Sequence, residues 1–435
     1  MASFSIPLTG LEADSTALNT IANDLSNMNT TAFKAQTTNF SDLFYQEIGS
    51  SGAGNPIQVG AGVKVGSNET SFTQGSINST GNATDVALNG NGFFVIGNGS
   101  GGYELTRDGN FTQAANGDLL SNGMSVMGYP AVNGVVNTNA PLTTINVPIG
   151  AVQESKATTT MSMTANLDST TTAGTQFPAQ LTIYDSLGEP HVVTVTYTPT
   201  ANANTWDYSA ALPAADYSTA GNNAAPAAIT GTMQFDSNGN LTTITPTGGA
   251  AETVGTAAGD VSSIALNFNP AATNVLADGA TGLNIQWNVL GSAGTPTISQ
   301  VDTASAVSAT LQNGYASGQY QSFAIGSDGT VTITYSNGQK ENVGQLALGN
   351  VANLQGLDLM GNGNYTTTLV SGAASFGVSG TAGLATLQDD SLEASNVNIS
   401  TEFSNLIIAQ RAFEANAKSV TTFDTVTQDT INMVH

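Results

Sequence analysis

The hydrophobic positions of this chain fall into two periodicities, one at the ends and another through the middle. From Leu11, the positions Leu11, Asp14, Leu18, Ile21, Leu25 and Met28 alternate by three and four, and five of the six are apolar. The same spacing returns at Phe403, Leu406, Gln410, Phe413, Ala417, Val420, Asp424, Thr427, Ile431 and Val434, where seven of ten are apolar. A stripe repeating every 3.5 residues is the narrow seam of a coiled coil, not the broader face of a globular helix. Thr9-Gly10-Leu11-Glu12 fits a capping box for the first helix, with Pro7 as an alternative first-turn marker. Ser400 and Glu402 suit the start of the second, and no Gly or Pro interrupts residues 401–435. The seams are flanked by Asn, Thr, Asp and Gln, so either helix alone is marginal in water. Such ends are expected to be loose in the monomer and to order against partners.

Between the ends the period shortens to two. Turn signals at Asp108-Gly109, Asn116-Gly117 and Asn122-Gly123 divide Tyr103–Tyr129 into a meander. Leu181–Tyr184 and the alternating Val193, Val195 and Tyr197 flank a turn at Asp185-Ser186-Leu187-Gly188. Met233–Ile244 folds back at Ser237-Asn238-Gly239, and Phe323–Leu348 turns at Asp328-Gly329 and Asn337-Gly338. Ala201–Ala228 and Gly248–Gly259 read as surface loops or linkers. The expected fold is therefore mixed but mainly β. N- and C-terminal helices form a coiled-coil-like inner domain, with β-rich domains inserted between them.

Composition narrows the chemistry. Seven Lys and Arg stand against 31 Asp and Glu in 435 residues, a net charge of −24, and the cations are dispersed. Nucleic-acid binding needs clustered cations, so it is excluded. Without cysteine there are no disulfides, thiol catalysis or thiolate metal sites. The start of the chain has no basic and apolar leader, and no segment approaches the ~20 apolar residues of a membrane span. His191 and His435 are the only histidines, and His191 reads as a structural strand residue. Asp236-Ser237-Asn238-Gly239-Asn240 opens like a calcium loop. It has Leu241 where the loop needs glycine and Thr247 where it needs a bidentate Glu, so a hairpin turn is expected. No catalytic residue, cofactor or metal site is expected, and the chain reads as a structural protein.

Four spaced blocks carry a resemblance. Leu18–Lys34, with Asn27-Met28-Asn29-Thr30-Thr31-Ala32-Phe33-Lys34, is similar to the N-terminal signature of the bacterial flagellar rod and hook proteins. It departs at Asp24, Leu25, Ser26 and Ala32, where that family commonly has Asn, Ile, Ala and Gly; alanine at 32 argues against a left-handed turn. Phe72-Thr73-Gln74-Gly75 through Ile96, Leu105–Phe111, and Ser391–Asn398 followed by Gln410–Asn416 also resemble the family. Tyr184–His191, Tyr315–Gly318 and Ser336–Gln339 resemble its hook members, which have a longer middle than rod proteins.

The resemblance implies a subunit of the flagellar hook, self-assembling into a hollow, bendable tube that transmits motor torque to the filament. A distal rod subunit is the alternative, and a β-rich surface adhesin a more remote one. It implies export by the flagellar route without signal cleavage, an extracellular location and no membrane insertion. The implied partners are further copies of the chain, the rod, hook-cap and hook–filament junction proteins, and the export apparatus. Four regions are expected. Residues 1–30 and 398–435 form the helical core, 31–70 and 386–397 a connecting segment, 71–150 and 305–385 an inner β domain, and 151–304 an outer β domain. The residues expected to mediate self-assembly are Leu11, Leu18, Ile21, Leu25, Met28, Phe403, Leu406, Phe413, Ala417, Val420, Ile431 and Val434.

Overall fold

The computed structural model describes residues 5–50, 56–99, 101–217, 227–268, 276–280 and 283–433. It is mainly β, with one helix near each end: α1 (Ser5–Ser26) and α2 (Ile399–Met433). Contacts divide the chain into two units. One comprises Met1–Ile149, Gln321–Thr334 and Lys340–His435; the other comprises Gly150–Tyr320 and Tyr335–Gln339. No helix among the described residues is long and apolar enough to cross a membrane.

In the first unit α1 already includes Ser5, so the capping box expected at Thr9 lies inside the helix. Pro7 marks the first turn instead, where a missing N–H costs nothing. The Thr9 hydroxyl donates back to the Ile6 carbonyl at 2.8 Å. After α1 come two antiparallel ribbons. Strands β1 (Gln36–Asp42) and β4 (Val63–Thr70) pair with each other, and between them β2 (Tyr45–Ser50) pairs with β3 (Pro56–Gly60). Both β1 and β4 pack on α1. The rest of this unit is built on a sheet in which Met124–Val132 pairs with Phe93–Gly97 on one side and Lys340–Leu346 on the other. Its core gathers Phe93, Val95, Leu105, Tyr129 and Tyr365. The Phe72, Phe93 and Tyr365 rings lie 5.5–5.9 Å apart.

The second unit packs two sheets around a large apolar core. One sheet runs from Phe177–Tyr184 through Pro190–Pro199, Thr205–Ala211, Ile229–Phe235 and Leu241–Pro246, each strand antiparallel to the next. The other surrounds Thr160–Asp168. Along Pro190–Pro199 the side chains alternate inward and outward, and Val193, Val195 and Tyr197 are fully buried. Trp206, Tyr208 and Trp287 complete the centre, with Trp287 edge-on to both tyrosines. One expectation fails here. Thr205–Ala211, inside the stretch read as a loop, is a core strand, because Trp206, Tyr208 and Ala210 all point inward. Asp236 makes the expected hairpin turn, its Oδ1 accepting the amides of Asn238 and Asn240.

Candidate functional site: the helix pair and its buried anchor

The face of α1 buried within the chain is Gly10, Ala13, Ala17, Thr20, Ile21 and Asp24. It follows a three-four alternation, but one residue out of step with the leucines at 11, 18 and 25. Small side chains let another element approach closely, and α2 does so. A methyl group on Gly10 would stand 2.6 Å from Asn416 Nδ2, which instead donates to Asp14 Oδ2 at 2.8 Å. Ala409 is the buried residue of α2. A cavity of about 290 Å³ opens beside the pair, lined in part by Ala17, Ile21, Phe40, Glu402 and Ile408.

Of the residues expected to mediate assembly, Ile21 is buried, and Leu11, Leu18, Leu25, Leu406, Ala417 and Val420 are half-buried. Phe403, Phe413, Ile431 and Met28 are exposed, with Met28 beyond the end of α1. Val434 lies outside the described residues. Exposed beside the phenylalanines are Ile407 and Ile408, at 58% and 67%, which the apolar repeat did not single out.

Where the helices join the β structure, one carboxylate gathers the chain. Glu393 Oε1 accepts from Lys34 Nζ at 2.6 Å and from the Gly75 amide at 2.8 Å, and its Oε2 accepts from Arg107 Nε at 3.0 Å. All three charged side chains are buried. Lys34 also donates to the Thr73 carbonyl, and Arg107 Nη1 to the carbonyls of Gly90 and Gly92. Desolvation pulls the Lys34 ammonium below the ordinary lysine range, opposed by its bond to Glu393. Alongside, Asn396 accepts from the Ala35 amide and donates to the carbonyls of Ser71 and Thr73.

Glycine at 75 is required, because a Cβ there would stand 2.0 Å from the Ala394 carbonyl oxygen. Ala32 does take the left-handed conformation, at φ +55, against the expectation for alanine. Its amide donates to the Glu393 carbonyl at 2.8 Å, which offsets the modest strain of a Cβ in that region. Lys34, Gly75, Arg107, Glu393 and Asn396 each sit within a block quoted above, yet none stood out alone. What marks them is that four separated blocks meet around one carboxylate.

Three family models match parts of the chain. The Flagellar hook protein FlgE/F/G D1 domain family matches residues 87–163, and the Flagellar basal body protein FlaE D2 domain family matches residues 152–315. The Flagellar basal body rod FlgEFG protein C-terminal family matches residues 388–433. The chain is 33% identical to the Flagellar hook protein FlgE of Salmonella typhimurium, covering 99% of this chain and 100% of that protein. The chain belongs to the flagellar hook protein family. It is also 32% identical to the Flagellar hook protein FlgE of Treponema pallidum, with 98% of each covered. The crystal structure of the Helicobacter pylori flagellar hook protein FlgE2 shares the fold at a TM-score of 0.53 and 14% identity. That likeness covers 73% of this chain and 100% of that one. In this chain the buried anchor is a joint between the terminal helices and the β structure of the first unit, with its donors and acceptors turned inward.

Proposed function

We propose that the chain is the structural subunit of the flagellar hook and polymerises into a hollow, bendable tube outside the cell through its terminal helices. The observation that carries this reading is the split use of the helix surfaces. The small-residue face of α1 is consumed within the chain, while α2 leaves Phe403, Ile407, Ile408, Val426, Ile431 and Met433 exposed. An apolar surface of that extent is costly in water and is relieved when other copies cover it. The residues proposed to make the contacts between copies are the apolar members of both repeats other than the buried Ile21, from Leu11 to Met28 and from Phe403 to Val434. The neighbours in this reading are further copies of the chain, with rod, hook-cap and hook–filament junction proteins at the ends of the tube.

Torque would pass from the helix pair into the β structure through the Lys34–Glu393–Arg107 anchor, which joins sequence from both ends of the chain. A net charge of −24 spread over a Thr- and Asn-rich surface leaves few specific ion pairs to lock one register, so contacts between outer domains can exchange during bending. Electron microscopy of the full chain and of a truncation lacking 401–435 tests the reading. The full chain should form tubes and the truncation soluble monomer; tubes from the truncation would overturn it.

A further inference from the structure

The second unit contains a polar cluster for which assembly has no use. Asp185 follows the strand Phe177–Tyr184, and His191 lies at the start of the next strand, opposite Ile183. Asp216 ends the turn Ala214–Asp216, and Asp278 sits in the turn at 276–280. The last two segments are tied together by the Ala277 amide donating to the Asp216 carbonyl at 2.9 Å. Asp185 is fully buried, His191 is 8% exposed, and Asp278 faces solvent.

The bonds within this cluster show how each of its groups is held. Asp185 Oδ1 is engaged by the amides of Leu187 and Glu189, both at 2.9 Å, which fixes the carboxylate and leaves Oδ2 pointing at the imidazole. His191 Nδ1 lies 2.9 Å from Asp216 Oδ2, and Nε2 lies 3.3 Å from Asp185 Oδ2. Asp278 Oδ1 accepts the Ala280 amide at 3.0 Å, and a carboxylate oxygen of Asp278 lies within 4.8 Å of ligand atoms of Asp185 and His191. Three carboxylates thus surround one imidazole, and among the described residues no Lys or Arg pairs with any of them. Lys156 is the single Lys or Arg in the sequence of this unit. Two carboxylates cannot face each other in a partly buried site unless a proton or a cation lies between them.

We propose that Asp185, His191 and Asp278 bind a divalent transition-metal ion, typified by zinc, with Asp216 as the positioning residue for the imidazole. One ligand atom from each of the three lies within 4.8 Å of the others. Ligands 2.0–2.2 Å from a common ion stand about 3–4.4 Å apart, so small side-chain movements close the site. Asp216 Oδ2 accepts a hydrogen bond from Nδ1–H, which fixes the tautomer and turns the Nε2 lone pair inward, the carboxylate–histidine–metal relay of metal sites generally. An imidazole nitrogen among the ligands favours zinc over calcium, and exposed Asp278 leaves room for entry and for bound water. In a domain without cysteine, the ion ties the hairpin carrying Asp185 and His191 to the turn at 276–280, where a disulfide is unavailable.

The test uses the full-length chain, stripped with chelator and titrated with zinc chloride alone at pH 7.5 by calorimetry. Saturable binding of one ion per chain is expected, with a rise in the unfolding midpoint read from tryptophan emission, since both tryptophans lie in this unit. Asp278→Asn, at an exposed position that leaves the fold intact, should weaken zinc at least tenfold and abolish the midpoint rise. Asp216→Asn should weaken it ten- to a hundredfold while leaving the chelator-treated midpoint nearly unchanged. Zinc binding equally well to Asp278→Asn, or the absence of saturable binding, overturns the proposal. So does a cluster stabilised by acid and indifferent to zinc, because a proton then fills the place assigned to the ion.

Discussion

Glu393 and Lys34 meet at 2.6 Å although 359 positions separate them in the chain. Arg107 completes the buried group, so one carboxylate is shared between two cations. Removing its charge leaves both cations buried without compensation. Glu393→Gln is expected to destabilise the first unit by about 3–5 kcal/mol. Far-ultraviolet dichroism should register that loss, whereas tryptophan emission, confined to the second unit, should keep its midpoint.

Asp24 gives a dependence on pH. Its Oδ2 accepts the Gln36 amide at 2.8 Å, while Oδ1 has no partner among the described residues. Burial raises this carboxyl from 3.8 to about 6; the Gln36 amide works against the rise, and Glu402 on α2 adds to it. The folded state therefore holds a proton that the unfolded chain gives up more readily. Stability should fall as pH climbs from about 4 to about 6, and level off above. Asp24→Asn should flatten that slope and leave the protein more stable at pH 7. Urea unfolding at a series of pH values, followed by helical dichroism, would show a persisting slope if another group were responsible.

Phe413→Asp should block tube formation yet cost the monomer only about 1–2 kcal/mol, because the ring is 38% exposed within one chain. Electron microscopy and calorimetry on the same preparation separate the two effects. An equal loss of both would mean that the ring belongs to the monomer's own core.

Gly10→Leu should separate the helices at Asn416 and cost the Asn416–Asp14 bond. The expected outcome is lost or shortened tubes with an unchanged tryptophan transition. By contrast Trp287→Ala should lower the second unit's stability by about 3–5 kcal/mol and leave α1 and α2 folded.

Much of the fold was legible because its turns are written in Asp-Gly and Asn-Gly steps and its strands alternate cleanly, as at Val193, Val195 and Tyr197. The two helices were legible from their apolar repeat. The face of α1 buried within the chain was not, since Gly10, Ala13, Ala17, Thr20 and Asp24 carry little hydrophobic signal. Small residues at three-four spacing are the mark that identifies such a face. Thr205–Ala211 escaped notice because flanking Ala and Asn hid a short alternation around Trp206. The anchor was visible only as separate blocks, as no local pattern announces that Lys34, Arg107 and Glu393 share one carboxylate. Ala32 shows the same limit in reverse. Its side chain disfavours the turn, and a distant carbonyl, that of Glu393, holds it there.

The anchor also sets an order of events during maturation. The second unit is built largely from hairpins between neighbouring strands, and such local pairings form early. The joint at Glu393 must wait until nearly the whole chain is present, because its donors come from residues 34, 75 and 107. A chain still emerging thus has the hairpins of its second unit and lacks the means to dock its ends. Competence to polymerise arrives last, as a timer written into the distance between two residues.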